Sequence, residues 1–393
     1  MEGYKAFVGH ERLENIKRRC ERLQGKKIVL VNSTANGGGV AQILQSITPF
    51  LQRHGLDIEW HVIQPEREFF EFTKKLHNGL QGQKIKISSD EKNMYEANLH
   101  VAAQTLPEAD FHFIHDPQPA GIASIKELNA ALRIHIDISE PNPEALRFLK
   151  RYIDQYKELI VTHPSYLQKS LTKPHRIIEP ATDPFTDINR ELTQDEEEEL
   201  QQRIPSDRYI AQVSRFDPWK DPVGVIDLFE KLHEKDQDID LVLLGGEADD
   251  DPEGQKIYEE VLKRRNESHI SEKIYVIKET NPLLVNYVQR NAEVIIQKST
   301  KEGFGLTVSE ALLKGTPVAA SRVGGIPRQV KQDVTGYLAD PKDYDAFVKN
   351  ILHLLQDKDN KERITRQGTK YVKKNFLLPR LAEDYLSLFE DHL

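Results

Sequence analysis

The chain has 393 residues, which favours two or three domains over one, each long enough to bury its own core. It carries 54 Lys and Arg against 63 Asp and Glu, a net charge of −9, and the scattered basic residues argue against nucleic acid as the main partner. The single Cys20 excludes an internal disulfide framework and a cysteine-based zinc site, and no stretch approaches the roughly 18 apolar residues of a membrane span. We therefore expect a cytoplasmic protein that acts on small molecules without a membrane partner.

Short apolar stretches in the first half of the chain predict strands, and longer amphipathic segments separate them. The predicted strands are residues 26–32, 58–63, 111–115, 133–138, 158–163 and 176–180. Strands that alternate with helical patterns indicate βαβ units and a parallel sheet, which binds ligands at the carboxyl ends of its strands. We place one doubly wound, Rossmann-like α/β domain at residues 1–185.

A run of three glycines, Gly37, Gly38 and Gly39, follows the first predicted strand and precedes a predicted helix. Backbone amides and the helix dipole at such a position can hold a phosphate or a sugar hydroxyl. The run is not a P-loop, because no Gly-Lys-Ser/Thr follows, and it does not match the dinucleotide fingerprint G-x-G-x-x-G. A tight turn without a ligand explains it equally well.

Two later stretches, FHFIHDPQPAG and RIHIDISEPN, place histidines at predicted strand ends. Because successive side chains of a strand alternate between faces, His112 and His115 should point in opposite directions, which argues against a shared metal ion. His115 with Asp116 is better interpreted as a polar pair aimed at a sugar hydroxyl or at the reacting centre. His135 is expected to face the same cleft, and a purely structural histidine is the competing interpretation for His115.

Residues 183–207 contain no strand pattern, and we predict a linker at 186–207. Its acidic run, residues 195–199, is typical of a solvated first helical turn that complements the helix dipole. A second Rossmann-like domain is predicted at 208–370, with strands at 208–214, 239–245, 273–277, 292–297 and 316–321. Residues 371–393 predict a C-terminal helix that returns to the first domain, with an apolar face formed by Leu381, Tyr385 and Leu388.

The stretch SRFDPWKD places Arg215 and Lys220 on either side of a stiff Pro-Trp corner, directly after a predicted strand. A guanidinium and an ammonium at this spacing can clamp a diphosphate, the first with two parallel hydrogen bonds and the second as a point charge. The competing interpretation is a surface salt-bridge pair. The strand-end position favours the ligand-binding interpretation.

The stretch QKSTKEGFGLTVSEALLKG predicts a strand end, a glycine loop and a helix closed by Gly315. Gly303 and Gly305 would let a ligand oxyanion approach the backbone closely. The amides expected to face that oxyanion are those of Phe304, Gly305, Leu306 and Thr307. Glu302 and Glu310 would then accept hydrogen bonds from hydroxyl groups. Ordinary helix acids that complement the dipole are the alternative, which explains Glu310 poorly because it falls in the second turn.

These motifs together resemble the retaining nucleotide-sugar glycosyltransferases of family 4, whose GT-B fold has two Rossmann-like domains facing a cleft. Glu302 and Glu310 match the Glu-x7-Glu motif of that family, and Arg215 and Lys220 match its diphosphate pair. Within the family, the chain is similar to the trehalose glycosyltransferring synthases. The ordered motifs that carry this similarity are NSTANGGGVAQIL, HDPQPAG, HIDISEPN, ATDP, VSRFDPWKDP and KSTKEGFGLTVSEA.

The resemblance implies a reversible and retaining transfer of glucose from a nucleoside-diphosphate glucose, in its UDP or ADP form, to glucose, which gives α,α-trehalose. It implies that Arg215 and Lys220 stabilise the leaving diphosphate, aided by the amides from Gly305 to Thr307. Glu310 would bind the ribose hydroxyls and Glu302 those of the transferred glucose. No metal ion or other cofactor is implied, because protein cations neutralise the leaving group.

In the first domain the resemblance implies that Gly38 and Gly39 approach the donor, and that His115, Asp116 and His135 line the sugar site. Four alternatives stay open: a trehalose phosphorylase, a family-4 enzyme with a different acceptor, a nucleotide-sugar 2-epimerase of GT-B shape, and a non-catalytic sugar-nucleotide sensor. The favoured direction, the nucleotide base and a homodimeric state are open as well.

Overall fold

The computed structural model describes residues 2–36, 38–246 and 253–393, and these form two compact units. The first unit contains residues 2–181 and 378–393, and the second contains 182–246 and 253–377. Residues 186–207, for which the sequence predicts a linker, belong to the second unit, as do residues 371–377 of the predicted C-terminal segment. Gly37 of the glycine run lies outside the described residues.

A six-stranded, fully parallel sheet forms the centre of the first unit, in the strand order β2-β1-β3-β4-β5-β6. Four of the strands are buried over all or nearly all of their length, as expected when helices cover both faces of a parallel sheet. The strands are β1 (Lys27–Asn32), β2 (Asp57–Val62), β3 (Phe111–His115), β4 (Ala130–Ile134), β5 (Glu158–Val161) and β6 (His175–Ile177).

The order of this sheet reverses between β1 and β3, which are hydrogen-bonded neighbours. Ligands of open α/β sheets bind beside the carboxyl ends of the strands at such a reversal. In this unit the reversal lies next to Asn32 and His115, the last residues of the two strands. The glycine run and the His115–Asp116 pair therefore follow the two strands that flank the reversal.

Helices pack on the first sheet, and one buried face holds a cluster of aromatic rings. Tyr95 stacks on Phe69 with 5.5 Å between ring centroids and meets the edge of Phe148 at 5.3 Å. Ser88 caps its helix by accepting a hydrogen bond from the Glu91 amide. The helices are α1 (Glu2–Val8), α2 (His10–Arg22), α3 (Gly38–Arg53), α4 (Arg67–Leu80), α5 (Ser89–Thr105) and α6 (Pro143–Ile153).

A second six-stranded parallel sheet forms the centre of the second unit, in the order β12-β11-β10-β7-β8-β9. This is the strand order of the dinucleotide-binding fold, and its reversal lies between β7 and β10. The sequence does not predict the strand of this sheet that comes last along the chain, which has three residues. The strands are β7 (Tyr209–Val213), β8 (Asp240–Gly245), β9 (Ile274–Lys278), β10 (Val294–Gln297), β11 (Val318–Ser321) and β12 (Tyr337–Ala339).

Helices cover both faces of this sheet, and the acidic run of the predicted linker forms the first turn of one of them, as predicted. Thr193 and Glu196 cap that helix reciprocally. The helices are α7 (Gln194–Gln201), α8 (Pro222–His233), α9 (Gly254–Glu267), α10 (Pro282–Asn291), α11 (Leu306–Lys314), α12 (Ile326–Gln329), α13 (Tyr344–Gln356) and α14 (Lys358–Asn375).

The last helix, α15 (Leu378–His392), belongs to the first unit and packs on its sheet. The ring of Tyr385 meets the edge of Phe113 at 5.1 Å, and its hydroxyl accepts a 2.8 Å hydrogen bond from the fully buried Arg133. Among the described residues, no helix has both the length and the apolar character that crossing a membrane requires.

Candidate functional site

Two loops meet at the strand reversal of the second unit, residues 214–221 after β7 and residues 298–305 after β10. The buried Gln212 of β7 ties them together, because its amide donates to the Lys220 carbonyl at 3.0 Å and accepts from the Lys298 amide at 3.2 Å. The Thr300 amide also donates to the Trp219 carbonyl at 2.8 Å. The two predicted ligand-binding stretches are therefore joined through their backbones.

Lys220 and Glu302 form an ion pair between these loops, with 2.5 Å between Nζ and Oε2. Their side chains are only 18% and 8% exposed, so the pair is not a surface salt bridge. The same carboxylate oxygen accepts from Ser299 at 3.1 Å and from Gln297 at 3.2 Å. The structure thus brings together two of the predicted site residues, and it adds two partners of Glu302 that the sequence analysis does not identify.

Arg215 lies on the same loop as Lys220 and is partly exposed, with its Nη2 3.9 Å from Oδ2 of the buried Asp217. The other oxygen of Asp217 accepts a 2.8 Å hydrogen bond from the Trp219 amide and so caps the short 3-10 turn Pro218–Lys220. The Pro-Trp corner between the two cations is therefore held rigid by a side-chain cap.

Another cation, the buried Lys298, lies next to this corner and is missing from the predicted site. Its side chain is 1% exposed, its ammonium contacts the carboxylate of Asp221, and it lies 4.5 Å from the centre of the Tyr344 ring. Asp221 also caps α8 by accepting from the Gly224 amide at 3.1 Å. The only sequence signal for Lys298 is its position directly after β10, four residues before Glu302.

The glycine loop ends where the sequence predicts, because Gly305 takes a positive φ of 82° and α11 begins at Leu306. Gln329, which is completely buried, donates to the carbonyls of Phe304 at 2.5 Å and Gly305 at 3.3 Å. The Thr307 hydroxyl donates to the Val213 carbonyl at 3.2 Å. The carbonyls of Phe304 and Gly305 are thus engaged by the protein, and that of Gly305 also accepts from the Val308 amide at 3.0 Å. The amides of Leu306 and Thr307 begin α11, where a helix offers no carbonyl of its own.

Gly303 lies in close contact with Gly325 of the neighbouring turn. A side chain on Gly325 would place its Cβ 2.6 Å from the Gly303 carbonyl oxygen and 2.8 Å from the Phe304 Cα. Only glycine at position 325 lets the loop take this course.

Glu310 lies in the second turn of α11 and is 4% exposed. Its Oε2 accepts a 3.0 Å hydrogen bond from the buried Gln289 of α10. Glu310 does not lie in the first turn of α11, so the alternative interpretation as a dipole-complementing helix acid does not explain it, whereas the Glu302 carboxylate lies beside Gly305 at the helix N-terminus.

In the first unit, α3 begins at Gly38, inside the glycine run that the sequence places before the helix, and Gly38 and Gly39 are exposed. Gly38 has a positive φ of 78°, and a Cβ built there would meet nothing within 4 Å. The space beside this backbone is open, which is what a closely approaching ligand requires.

His115, Asp116 and His135 come together after β3 and β4. His115 is completely buried, and its Nδ1 lies 3.0 Å from Nε2 of the partly exposed His135. Asp116, with a positive φ of 69°, accepts a 2.8 Å hydrogen bond from the His135 amide. That bond takes the His135 amide out of the sheet ladder, and the strand predicted at 133–138 therefore ends at Ile134.

Burial, followed by the charge of Arg133, lowers the pKa of both His115 and His135 well below the usual value. Both rings are therefore neutral at pH 7, so one ring nitrogen of the pair donates and the other accepts. His112 lies apart from them, with its Nε2 3.0 Å from the Pro107 carbonyl. The residues that the structure describes contain no cluster of His, Cys, Asp or Glu that could hold a metal ion.

Comparisons with known proteins match both units. Residues 30–168 match the family model for the N-terminal domain of trehalose synthase, and residues 194–371 match that of glycosyl transferases group 1. The chain is 38% identical over 397 residues to the trehalose synthase of Thermococcus litoralis, covering 99% of this chain and 96% of that protein.

A second relative, the trehalose phosphorylase of Pleurotus pulmonarius, is 30% identical over 417 residues, which cover 91% of this chain but 56% of the phosphorylase. Among solved structures, "Trehalose-6-phosphate from E. coli bound with UDP-2-fluoro glucose" superposes with a TM-score of 0.73 at 14% identity, covering 93% of this chain and 99% of that one. The similarity therefore extends over both units.

Proposed function

The chain belongs to the trehalose synthase family, and from this premise we propose that it makes α,α-trehalose reversibly from a nucleoside-diphosphate glucose and glucose, with retention. Its relatives, which match over nearly the full length, and its glycosyltransferase domain show that the chain is a hexosyltransferase with a GT-B fold. The reaction it catalyses is a trehalose-related glycosyl transfer. The nucleotide-sugar donor, the reversibility and the stereochemistry are the proposed part. They are supported by the site of the second unit.

The observation that carries the proposal is the ion pair of the partly exposed Lys220 with the buried Glu302 at the strand reversal. Departure of a diphosphate requires fixed positive charge near the oxygen that leaves. An ammonium has three N–H groups, and the bond to Glu302 uses one of them. Arg215 on the same loop adds a guanidinium that can bind two phosphate oxygens in parallel. Glu302 thus orients the Lys220 ammonium, whose other two N–H groups can donate to the diphosphate.

The amides at the N-terminus of α11 would stabilise the same diphosphate, because the helix dipole favours an anion there. The donors would be the amides of Phe304, Gly305, Leu306 and Thr307, and Gly303, which has no side chain, would let the oxyanion approach the backbone. Gln329 supports this arrangement by binding the carbonyls of the loop. This donor set explains why the loop contains glycines at positions 303 and 305.

The two carboxylates would bind hydroxyl groups and would not act as nucleophiles. Glu302, next to Lys220, is assigned to the transferred glucose, and Glu310, in the second turn of α11, to the ribose. A carboxylate accepts about four hydrogen bonds, of which Gln289 supplies one to Glu310. In the proposal, each acid accepts a hydrogen bond from a sugar hydroxyl.

In the proposed reaction the acceptor hydroxyl attacks the anomeric carbon on the face from which the diphosphate leaves. The bond from that carbon to the phosphate oxygen breaks, a bond to the acceptor oxygen forms, and the acceptor proton passes to the leaving phosphate oxygen. The protein stabilises the oxocarbenium-like centre and the departing oxyanion together. Arg215 and Lys220 supply the positive charge, so the proposal requires no metal ion and no further cofactor.

In the first unit, Asp116 and His135 are assigned to sugar hydroxyls, and Gly38 and Gly39 to close approach of the donor. His115 would act through His135, since its own ring is completely buried. Neutral imidazoles suit this role, because a neutral ring can donate or accept a hydrogen bond.

A single assay tests the proposal: trehalose is incubated with UDP, with ADP and with inorganic phosphate, and products are followed by NMR. We expect glucose and an α-linked nucleoside-diphosphate glucose with UDP or ADP. A β-linked sugar nucleotide would contradict retention. Absence of turnover with both nucleotides would contradict the nucleotide-sugar donor.

The second candidate function is trehalose phosphorylase, which the 30% identity to the Pleurotus pulmonarius enzyme over 91% of this chain favours. Release of glucose with phosphate alone would establish this function in place of the first. The chain spans only 56% of that relative, whereas it spans 96% of the Thermococcus litoralis synthase, and the synthase reaction is therefore preferred.

A further inference from the structure

A continuous chain of hydrogen bonds leads from Glu310 to the start of the second unit. The Gln289 amide donates to Glu310 at 3.0 Å and accepts from the Lys314 ammonium at 2.7 Å. Lys314 in turn donates to the Asn189 side chain at 2.6 Å and has its third contact at 3.5 Å with the Glu310 carbonyl. Three oxygen acceptors thus match the three N–H groups of this ammonium.

The chemistry of these groups determines which way the Gln289 amide points. An ammonium can only donate, so the oxygen of the amide must face Lys314 and its NH2 group must face Glu310. If the amide were reversed, its NH2 group would oppose the ammonium and its oxygen would oppose the carboxylate. The charge of Lys314 therefore holds Gln289 in the one orientation that can donate to Glu310.

Gln289 and Asn189, the two side-chain partners of Lys314, are each fixed by further hydrogen bonds. Gln289 is completely buried, and its backbone carbonyl accepts a 2.6 Å hydrogen bond from the Thr316 hydroxyl. The side-chain amide of Asn189 donates to the Thr182 hydroxyl at 2.8 Å, and the backbone carbonyl of Asn189 accepts from the Arg290 guanidinium at 2.9 Å. Lys314 therefore has no need to move in order to hold Gln289.

We propose that Lys314 acts through Gln289 to position the Glu310 carboxylate for the ribose of the nucleotide. Both are positioning residues, and the inference rests on the proposed ribose role of Glu310. If Lys314 and Gln289 only supported the fold, replacing them would not change the ratio of affinities for a ribonucleotide and for its analogue that lacks the 2′ and 3′ hydroxyls.

Titration of Lys314 supplies one readout. Burial lowers the pKa of Lys314 to about 7. The charged groups around it are Glu310 on its own helix, Arg290 of α10 and Glu191 of the segment before α7. As the pH rises through the neutral range, the ammonium loses its proton and becomes able to accept a hydrogen bond, so the amide of Gln289 is no longer held in one orientation.

The experiment measures by calorimetry the affinity for a nucleoside diphosphate and for its 2′,3′-dideoxy analogue, using UDP or ADP according to which the wild type binds. The two ligands share the same diphosphate and base, so their affinity ratio isolates the contribution of the ribose hydroxyls. Gln289→Met, Lys314→Met and Glu310→Ala are compared with wild type. Lys263→Met, whose lysine is 77% exposed on α9, is the matched control.

We expect the wild type and Lys263→Met to prefer the ribonucleotide roughly tenfold, the effect of hydrogen bonds to a charged group. The preference should fall towards one in Gln289→Met and Lys314→Met. In the wild type it should decrease from about pH 6 to about pH 8, and it should be independent of pH in Lys314→Met.

A ribose preference that survives in both methionine variants overturns the inference, and so does an equal loss of affinity for both nucleotides, which indicates damage to the fold. If the wild type shows no ribose preference, or keeps it in Glu310→Ala, the ribose role of Glu310 fails and the inference fails with it. The glucose-release assay with UDP, ADP and phosphate then still decides the reaction independently.

Discussion

At the scale of single residues, Arg215 and Lys220 lie on one loop but in different surroundings. Lys220 is paired with the buried Glu302 at 2.5 Å, whereas Arg215 is more exposed and its Nη2 lies 3.9 Å from Oδ2 of Asp217. The two cations should therefore contribute alike to the reaction and differently to stability.

Replacing either cation with alanine should lower turnover by about two to three powers of ten, the scale of losing one transition-state charge partner. Lys220→Ala should also lower the melting temperature, because it leaves the Glu302 carboxylate buried without its ammonium. Arg215→Ala should melt close to wild type. Steady-state kinetics and thermal denaturation measure both effects.

The matched control for these variants is Lys231→Ala on α8, whose lysine is 52% exposed and pairs with Asp345 at 3.1 Å. It should behave as wild type in both measurements. Near wild-type turnover of Arg215→Ala and Lys220→Ala would contradict their assignment to the diphosphate.

The sequence identifies Lys220 and Glu302 because charged residues between a strand and a helix are conspicuous. Their pairing is not predictable locally, since 82 positions separate them and only the adjacency of β7 and β10 brings them together. Gln289 and Gln329 carry no sequence signal at all. A buried glutamine acquires its role from the partners that tertiary packing places around it.

At the scale of elements, every predicted strand overlaps an observed one. Most of them are buried on both faces, and such strands have continuous apolar runs in the sequence. The largest differences in extent are at β6, which ends at Ile177 instead of residue 180, and at β4, which spans Ala130–Ile134 instead of 133–138. β4 ends before His135 because the side chain of Asp116 accepts a hydrogen bond from that residue's amide. The exception in number is β12, whose three residues are too few for a pattern.

The glycine loop depends on the neighbouring turn, and this predicts the effect of Gly325→Ala. Gly325 has a φ of −80°, which alanine adopts freely, so the substitution acts only through the contact of its Cβ with Gly303 and Phe304. We expect a loss of about 1–3 kcal/mol of stability from overpacking and at least about tenfold lower turnover from the displaced amides.

Denaturant unfolding and steady-state kinetics check this prediction. Gly254→Ala is the control, because a Cβ there would lie 3.7 Å from the Phe216 carbonyl, an ordinary contact distance. If Gly325→Ala kept both the stability and the turnover of wild type, the loop would not depend on the neighbouring turn.

At the scale of the whole molecule, the first unit is built from two separated parts of the chain. Helix α15 supplies buried side chains to the sheet, among them Leu381, Tyr385 and Phe389. Its Glu390 also forms an ion pair with Arg19 of α2, with 2.7 Å between Nη2 and Oε2. Amphipathic spacing alone predicts the buried face of α15, but no local pattern names the surface that it covers.

Removing residues 378–393 should unfold the first unit and spare the second. Full burial of a large apolar side chain contributes roughly 1.5–3 kcal/mol, so the several that α15 contributes together approach the usual domain stability of about 5–15 kcal/mol. Hydrogen exchange read by mass spectrometry should show lost protection in residues 2–181 and native protection in the rest.

Arg19→Ala serves as the control, since it removes the ion pair with Glu390 but leaves α15 in place. It should keep protection in both units. Full protection of residues 2–181 in the shortened chain would show that α15 is dispensable for the first sheet.

The two-part construction of the first unit reverses the usual order of folding during synthesis, in which the N-terminal domain of a chain folds first. On the ribosome, all residues of the second unit have been synthesised by position 377, whereas the first unit still lacks α15 at that moment. The sheet made earliest must therefore wait, with Phe111 and Phe113 uncovered, until the second unit has emerged. We therefore expect a growing chain to expose this apolar surface from the synthesis of Phe113 until α15 emerges, which is the kind of surface that chaperones bind.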